Sequence, residues 1–84
     1  MTRDEIAQRL ERSGVLPTTQ RLDVGEVILS SPQHASADQI IARIRASGSK
    51  VSKATVYNTL KLFCERGLLR TVHVDPTRQY YDPT

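Results

Sequence analysis

Val51-Ser-Lys-Ala-Thr-Val-Tyr-Asn-Thr-Leu-Lys-Leu-Phe-Cys-Glu-Arg-Gly67 is the stretch whose reading decides the fold. Val56, Leu60, Phe63 and Cys64 recur at the spacing of one face of an α-helix, Ser52 offers a hydroxyl to its first turn, and Gly67 suits the left-handed residue that closes a helix. A long helix over Lys53–Arg66 is the consequence. Just beyond it the period changes from 3.6 to 2. Val72 and Val74 alternate with Thr71 and His73, and Gln79-Tyr-Tyr81 resumes the pattern after Asp75-Pro-Thr-Arg78. Aspartate at the first and proline at the second position of that tetrapeptide favour a type I reversal, so the segment predicts a β-hairpin.

Working back from the long helix, Ser36-Ala-Asp-Gln39 has the form of a capping box, with Ile40, Ile41 and Ile44 following it and Gly48 breaking the run. A helix over about residues 37–46 is expected. A second box, Thr2-Arg-Asp-Glu5, starts a helix over about 3–13 whose inner face is Ile6 and Leu10 and whose stop is Gly14. Between them, Val15-Leu-Pro-Thr-Thr19 reads as a connection in which Pro17 keeps Leu16 extended and a threonine caps the next helix. That helix runs to about Ser30, with Leu22, Gly25, Ile28 and Leu29 inward and Asp23 and Glu26 outward. Ser31-Pro32 ends it, and a loop over residues 32–35 follows. Glycine inside a helix costs about 1 kcal/mol relative to alanine, so Gly25 implies the close approach of a neighbouring helix. The fold class expected is mainly α with a small β-hairpin. It is a winged helix-turn-helix of four helices plus a C-terminal two-stranded wing, one domain over residues 1–84.

Composition narrows the function. A chain of 84 residues builds one small core and no large enclosed active site. A single cysteine, Cys64, excludes an internal disulfide framework and a Cys-rich zinc site. No apolar run approaches the roughly 20 residues of a membrane span, and the acidic, amphipathic opening resembles no targeting signal, so a cytoplasmic protein with no membrane partner is expected. No nucleophile–base pair and no Gly-rich phosphate loop is legible, and His34 and His73 stand alone, so an enzyme is not expected.

Charge is more informative. Residues 39–64 hold five cations, Arg43, Arg45, Lys50, Lys53 and Lys61, and no acid, whereas residues 1–38 hold four arginines against six acids. A basic segment in an otherwise balanced domain suits a partner made of phosphates, although a solvated basic face has the same composition. At 100° per residue, Lys53, Ala54, Tyr57, Asn58 and Lys61 fall within about 140° beside the core stripe of the fourth helix. Asn58 is able to pair bidentately with adenine, Tyr57 and Ala54 to press on thymine methyl groups, and Lys53 and Lys61 to meet phosphate or guanine. Arg78 on the wing turn is a further candidate contact, and the free amides at the Ser52 end suit a phosphate. Singly, Tyr57 reads as a core-edge aromatic and Asn58 as a surface amide; together the five favour double-stranded DNA. A winged-helix module that docks an acidic protein partner is the alternative, because the fold serves both purposes.

The run Val51 to Leu60, followed by Phe63, Gly67-Leu-Leu-Arg70 and a wing ending Tyr81-Asp82, resembles the DNA-binding domain of the ferric uptake regulator family. Gly14-Val-Leu-Pro-Thr-Thr-Gln-Arg21 and His34-Ala-Ser-Ala-Asp38 match two further signatures of that family in order and spacing. Asn58 stands where many ferric uptake regulators carry arginine, as in the peroxide-responsive and iron-response branches. The resemblance implies a transcription regulator that binds A/T-rich palindromic operators as a homodimer. It also implies base contacts at Tyr57 and Asn58, a DNA-facing helix start at Ser52, Lys53 and Thr55, and a backbone or minor-groove contact by Thr19, Gln20 and Arg21. It further implies a regulatory divalent metal, iron, manganese or zinc, with His34 and Asp82 among its ligands and the others in a C-terminal dimerisation domain outside these residues. The chain by itself is then expected to be an isolated or truncated domain, monomeric and without a cofactor, its His34 and Asp82 solvated rather than metallated.

Overall fold

The computed structural model of the chain describes residues 1–30 and 34–84. Four helices, α1 (Arg3–Arg12), α2 (Thr19–Leu29), α3 (Ala37–Ala46) and α4 (Lys53–Glu65), precede a hairpin of β1 (Leu69–Asp75) and β2 (Arg78–Pro83). Both capping boxes form. The Thr2 hydroxyl accepts the Glu5 N–H at 3.2 Å while the Glu5 carboxylate accepts the Thr2 N–H at 3.1 Å, and Ser36 and Gln39 do the same at 3.2 and 3.0 Å. Single hydroxyls cap the other two helices: Thr18 accepts the Arg21 N–H and Ser52 the Thr55 N–H. The first, second and fourth helices each end one residue earlier than the periodicity predicts, with Ser13, Ser30 and Arg66 as C-caps. Gly67 then takes a φ of +76°, which lets the chain turn sharply into the wing. The expected stop at Ser31-Pro32 and the first residues of the loop after it lie outside the described residues.

The hairpin is longer than the alternation predicts, because Leu69 and Arg70 pair across with Pro83 and Asp82. An irregularity between His73 and Asp75 precedes the turn. One feature was not expected: Ala35 forms an antiparallel bridge to Tyr81, donating at 3.1 Å and accepting at 2.8 Å, so β2 is paired on both sides. A single bridging residue has no alternating pattern to betray it.

Phe63, Ile6, Leu10, Ile28, Ile40, Ile44, Leu60, Val24 and Val56 form the fully buried centre. α2 touches α1, α3, α4 and β2, so its buried face is wider than one stripe. For that reason Val24 is buried as well, while Leu22, expected inside, is only half-buried; Cys64 in α4 is likewise half-buried. Gly25 does mark a close approach: a Cβ there would lie 2.8 Å from Ile6 Cγ2. The acids expected to point outward from α2 are partly engaged. Arg3 pairs with Asp23 at 3.1 Å and with Glu26 at 3.0 Å, and the Ser49 hydroxyl donates to Asp23 at 2.8 Å. Among the described residues no helix is long and apolar enough to cross a membrane.

Candidate nucleic-acid interface

With Val56, Thr59, Leu60 and Phe63 of α4 buried, the helix turns Lys53, Ala54, Tyr57, Asn58 and Lys61 to solvent, and Tyr57 is 43% exposed. Thr55 lies half-buried at the edge. Thr59, which periodicity did not single out, is a buried polar residue whose hydroxyl donates to the Thr55 carbonyl at 2.7 Å. The first turn of α4 holds no acid, and Ser52 both caps it and donates to the Thr55 hydroxyl at 2.8 Å. Among the described residues, none of Arg43, Arg45, Lys50, Lys53 and Lys61 takes part in an ion pair. Their field is therefore not cancelled at short range by the protein itself.

Two clefts flank this sector. Gln20, Arg21, Thr55, Asn58, Thr59 and Leu62 line one of about 170 Å³, which sets the start of α2 beside the middle of α4. Gln20 is exposed there, and Thr19 just before it is exposed as well. Arg21 is half-buried, and its Nη1 donates to the Leu16 carbonyl at 3.1 Å, bracing the turn into α2. The other cleft, of about 310 Å³, runs between the start of α3, Tyr57 and the wing residues from Thr77 to Tyr81. Tyr57 thus borders the wing as well as the helix sector. Arg78 reaches this cleft while pairing with Asp75 at 3.3 Å, and hydrogen bonds from the hydroxyl and amide of Thr77 hold the Asp75 carboxyl below its usual range. Burial pushes the Tyr81 hydroxyl pKa up, with Cys64 and Tyr57 adding to it, and burial alone raises that of the Cys64 thiol.

The expectation that Asp82 is solvated is corrected. Its residue is 8% exposed, and Oδ2 accepts from Arg70 Nε at 3.3 Å and from Nη2 at 3.0 Å. His34 stays largely exposed, its Nδ1 3.6 Å from Asp82 Oδ1. The cause is the three-way pairing of β2, which places Arg70 on one side of Asp82 and the segment of Ala35 on the other. Sequence reasoning missed Arg70, because counting a regular register outward from the Asp75–Arg78 turn sets it opposite Pro83, and only the irregularity between His73 and Asp75 brings it opposite Asp82. His34 and Asp82 converge, but two donors, one with an oxygen already taken by a guanidinium, do not close a metal site. No group of three or more His, Cys, Asp or Glu able to hold a metal occurs among the described residues.

The sequence profile of the ferric uptake regulator family matches residues 12–84. The peroxide operon regulator of Bacillus subtilis (strain 168) is 32% identical over 78 residues, covering 93% of this chain and 54% of that protein. The ferric uptake regulator of Pseudomonas aeruginosa, solved with manganese, superimposes with a TM-score of 0.85 at 25% identity over 99% of this chain and 60% of its own. That of Vibrio cholerae gives a TM-score of 0.85 at 29% identity, over 93% and 60% respectively. The chain spans about half the length of the curated relatives it matches.

Proposed function

The chain belongs to the ferric uptake regulator family, and from that premise we propose that it binds double-stranded DNA as the reading domain of a transcription regulator, with α4 in the major groove of an A/T-rich site. The observation that carries the reading is the exposed sector of α4, in which an amide, an aromatic and two lysines stand together with no ion pair among the described residues. Tyr57, Ala54 and Asn58 meet base edges. Lys53, Lys61, Ser52, Thr55 and the segment Thr19 to Arg21 surround them, and Arg78 approaches from the wing.

In a longer protein we propose a cytoplasmic homodimer whose two domains read the halves of a palindrome under the control of iron, manganese or zinc. His34 and Asp82 would supply two of the metal's ligands. Alone, this chain holds one half-site as a monomer. It forgoes the effective-concentration gain of two linked domains, commonly about 10²- to 10⁴-fold, and gains nothing from added metal.

Selection from a pool of randomised duplexes, followed by titration of the winner and of random DNA at several salt concentrations, tests the reading. Enrichment of an A/T-rich half-site is expected, with log K falling against log salt by about 0.9 per phosphate contacted. Salt-dependent binding with no enrichment, or preferential capture of an acidic polypeptide over the duplex, would count for a docking module instead.

A further inference from the structure

We infer that Gln20 sets base preference together with Asn58, so that the start of α2 belongs to the reading surface in the major groove and is not a backbone or minor-groove contact. The inference rests on the proposed insertion of α4 in that groove.

Gln20 and Asn58 lie far apart in sequence yet line the same cleft of about 170 Å³. The remaining polar groups of that cleft have work within the protein. Arg21 donates to the Leu16 carbonyl, the Thr55 hydroxyl accepts from Ser52, and the Thr59 hydroxyl donates to the Thr55 carbonyl. Leu62 is apolar. Arg21 keeps further N–H groups for a phosphate, which leaves the two amides as the side chains able to read a base, both exposed and neither in a side-chain hydrogen bond among the described residues.

Scale then limits what they face. The major groove is about 12 Å wide, and the minor groove lies on the far side of a phosphate strand. Residues lining one cleft this small do not straddle that strand, so the groove that takes Asn58 also borders Gln20. Both side chains end in the carboxamide that pairs bidentately with the N6 and N7 atoms of adenine. Successive base pairs are stacked about 3.4 Å apart, so two neighbouring amides suit two neighbouring A·T pairs. A phosphate contact by Gln20 would need no such neighbour, and it would leave base preference untouched.

Duplex selection with the 84-residue chain, its Gln20→Ala and Asn58→Ala variants and the double variant decides the matter, with circular dichroism confirming that each is folded. Gln20→Ala is expected to lose preference at one or two base pairs adjoining those lost by Asn58→Ala, to bind the selected duplex about tenfold more weakly, and to bind random DNA unchanged. The double variant should lose less than the product of the two single effects. An intact consensus for Gln20→Ala, whether affinity falls evenly on both duplexes or stays the same, overturns the inference and leaves the reading by α4 standing. Absence of any enrichment for the unaltered chain overturns that reading, and this inference with it.

Discussion

The α1–α2 pair and the α3–α4 pair treat charge in opposite ways. In the first, Arg3 of α1 bridges Asp23 and Glu26 of α2, so charges are spent on orienting one helix against the other across the close contact of Gly25 with Ile6. In the second, five cations from residues 39–64 form no ion pair among the described residues, and the first turn of α4 carries no acid. Charges neutralised internally add little beyond geometry, whereas uncompensated ones on an exposed face act on a partner. The contrast separates stability from binding, and substitutions in each half should move one without the other.

The largest expected effect is in the first half. Leu10→Ala empties part of the fully buried centre and should cost about 2–5 kcal/mol in urea unfolding. Its selected DNA consensus should stay that of the unaltered chain, and a changed consensus would show that the halves are not independent. In the second half, Tyr57→Ala and Asn58→Ala should each cost about 1–3 kcal/mol on the selected duplex and little on random DNA, because losing a base-edge contact removes discrimination and keeps the phosphate attraction. A selection with Asn58→Ala that returned the same bases at every position would remove Asn58 from the readers.

Smaller effects sharpen the same division. Lys53→Ala or Lys61→Ala should weaken selected and random duplexes alike and lower the salt slope by roughly one unit each. A shifted base preference with the slope intact would turn either lysine into a base contact. Smallest of all, Arg3→Ala should lower stability by at most about 1 kcal/mol, since the side chain is 40% exposed and its pairs are screened by salt. Denaturation of this variant at low and high salt should converge on the unaltered chain as salt rises, with DNA binding unchanged throughout.

Much of this division is legible in the sequence. The basic block, the bare first turn of α4 and the sector from Lys53 to Lys61 follow from counting residues along a helix of known pitch. The partners of those residues are not. Asp23 and Glu26 read as outward acids, and nothing near them in sequence announces Arg3. Asp82 read as a solvated carboxylate, because its burial depends on β1 lying on one side and Ala35 on the other.

The sequence by itself determined the helix ends it named within a residue, the sharp exit at Gly67, the wing, and the inward stripes of α1 and α3. Those features rest on caps and periodicities whose partners sit two to four residues apart, where the backbone alone decides who meets whom. Only the tertiary structure decided that Val24 joins the core in place of Leu22, that Arg70 holds Asp82 beside His34, and that Gln20 borders the same cleft as Asn58. Each of these depends on how α2 is wedged among three helices or on strand register. Such contacts join residues distant along the chain, and no local preference encodes their meeting.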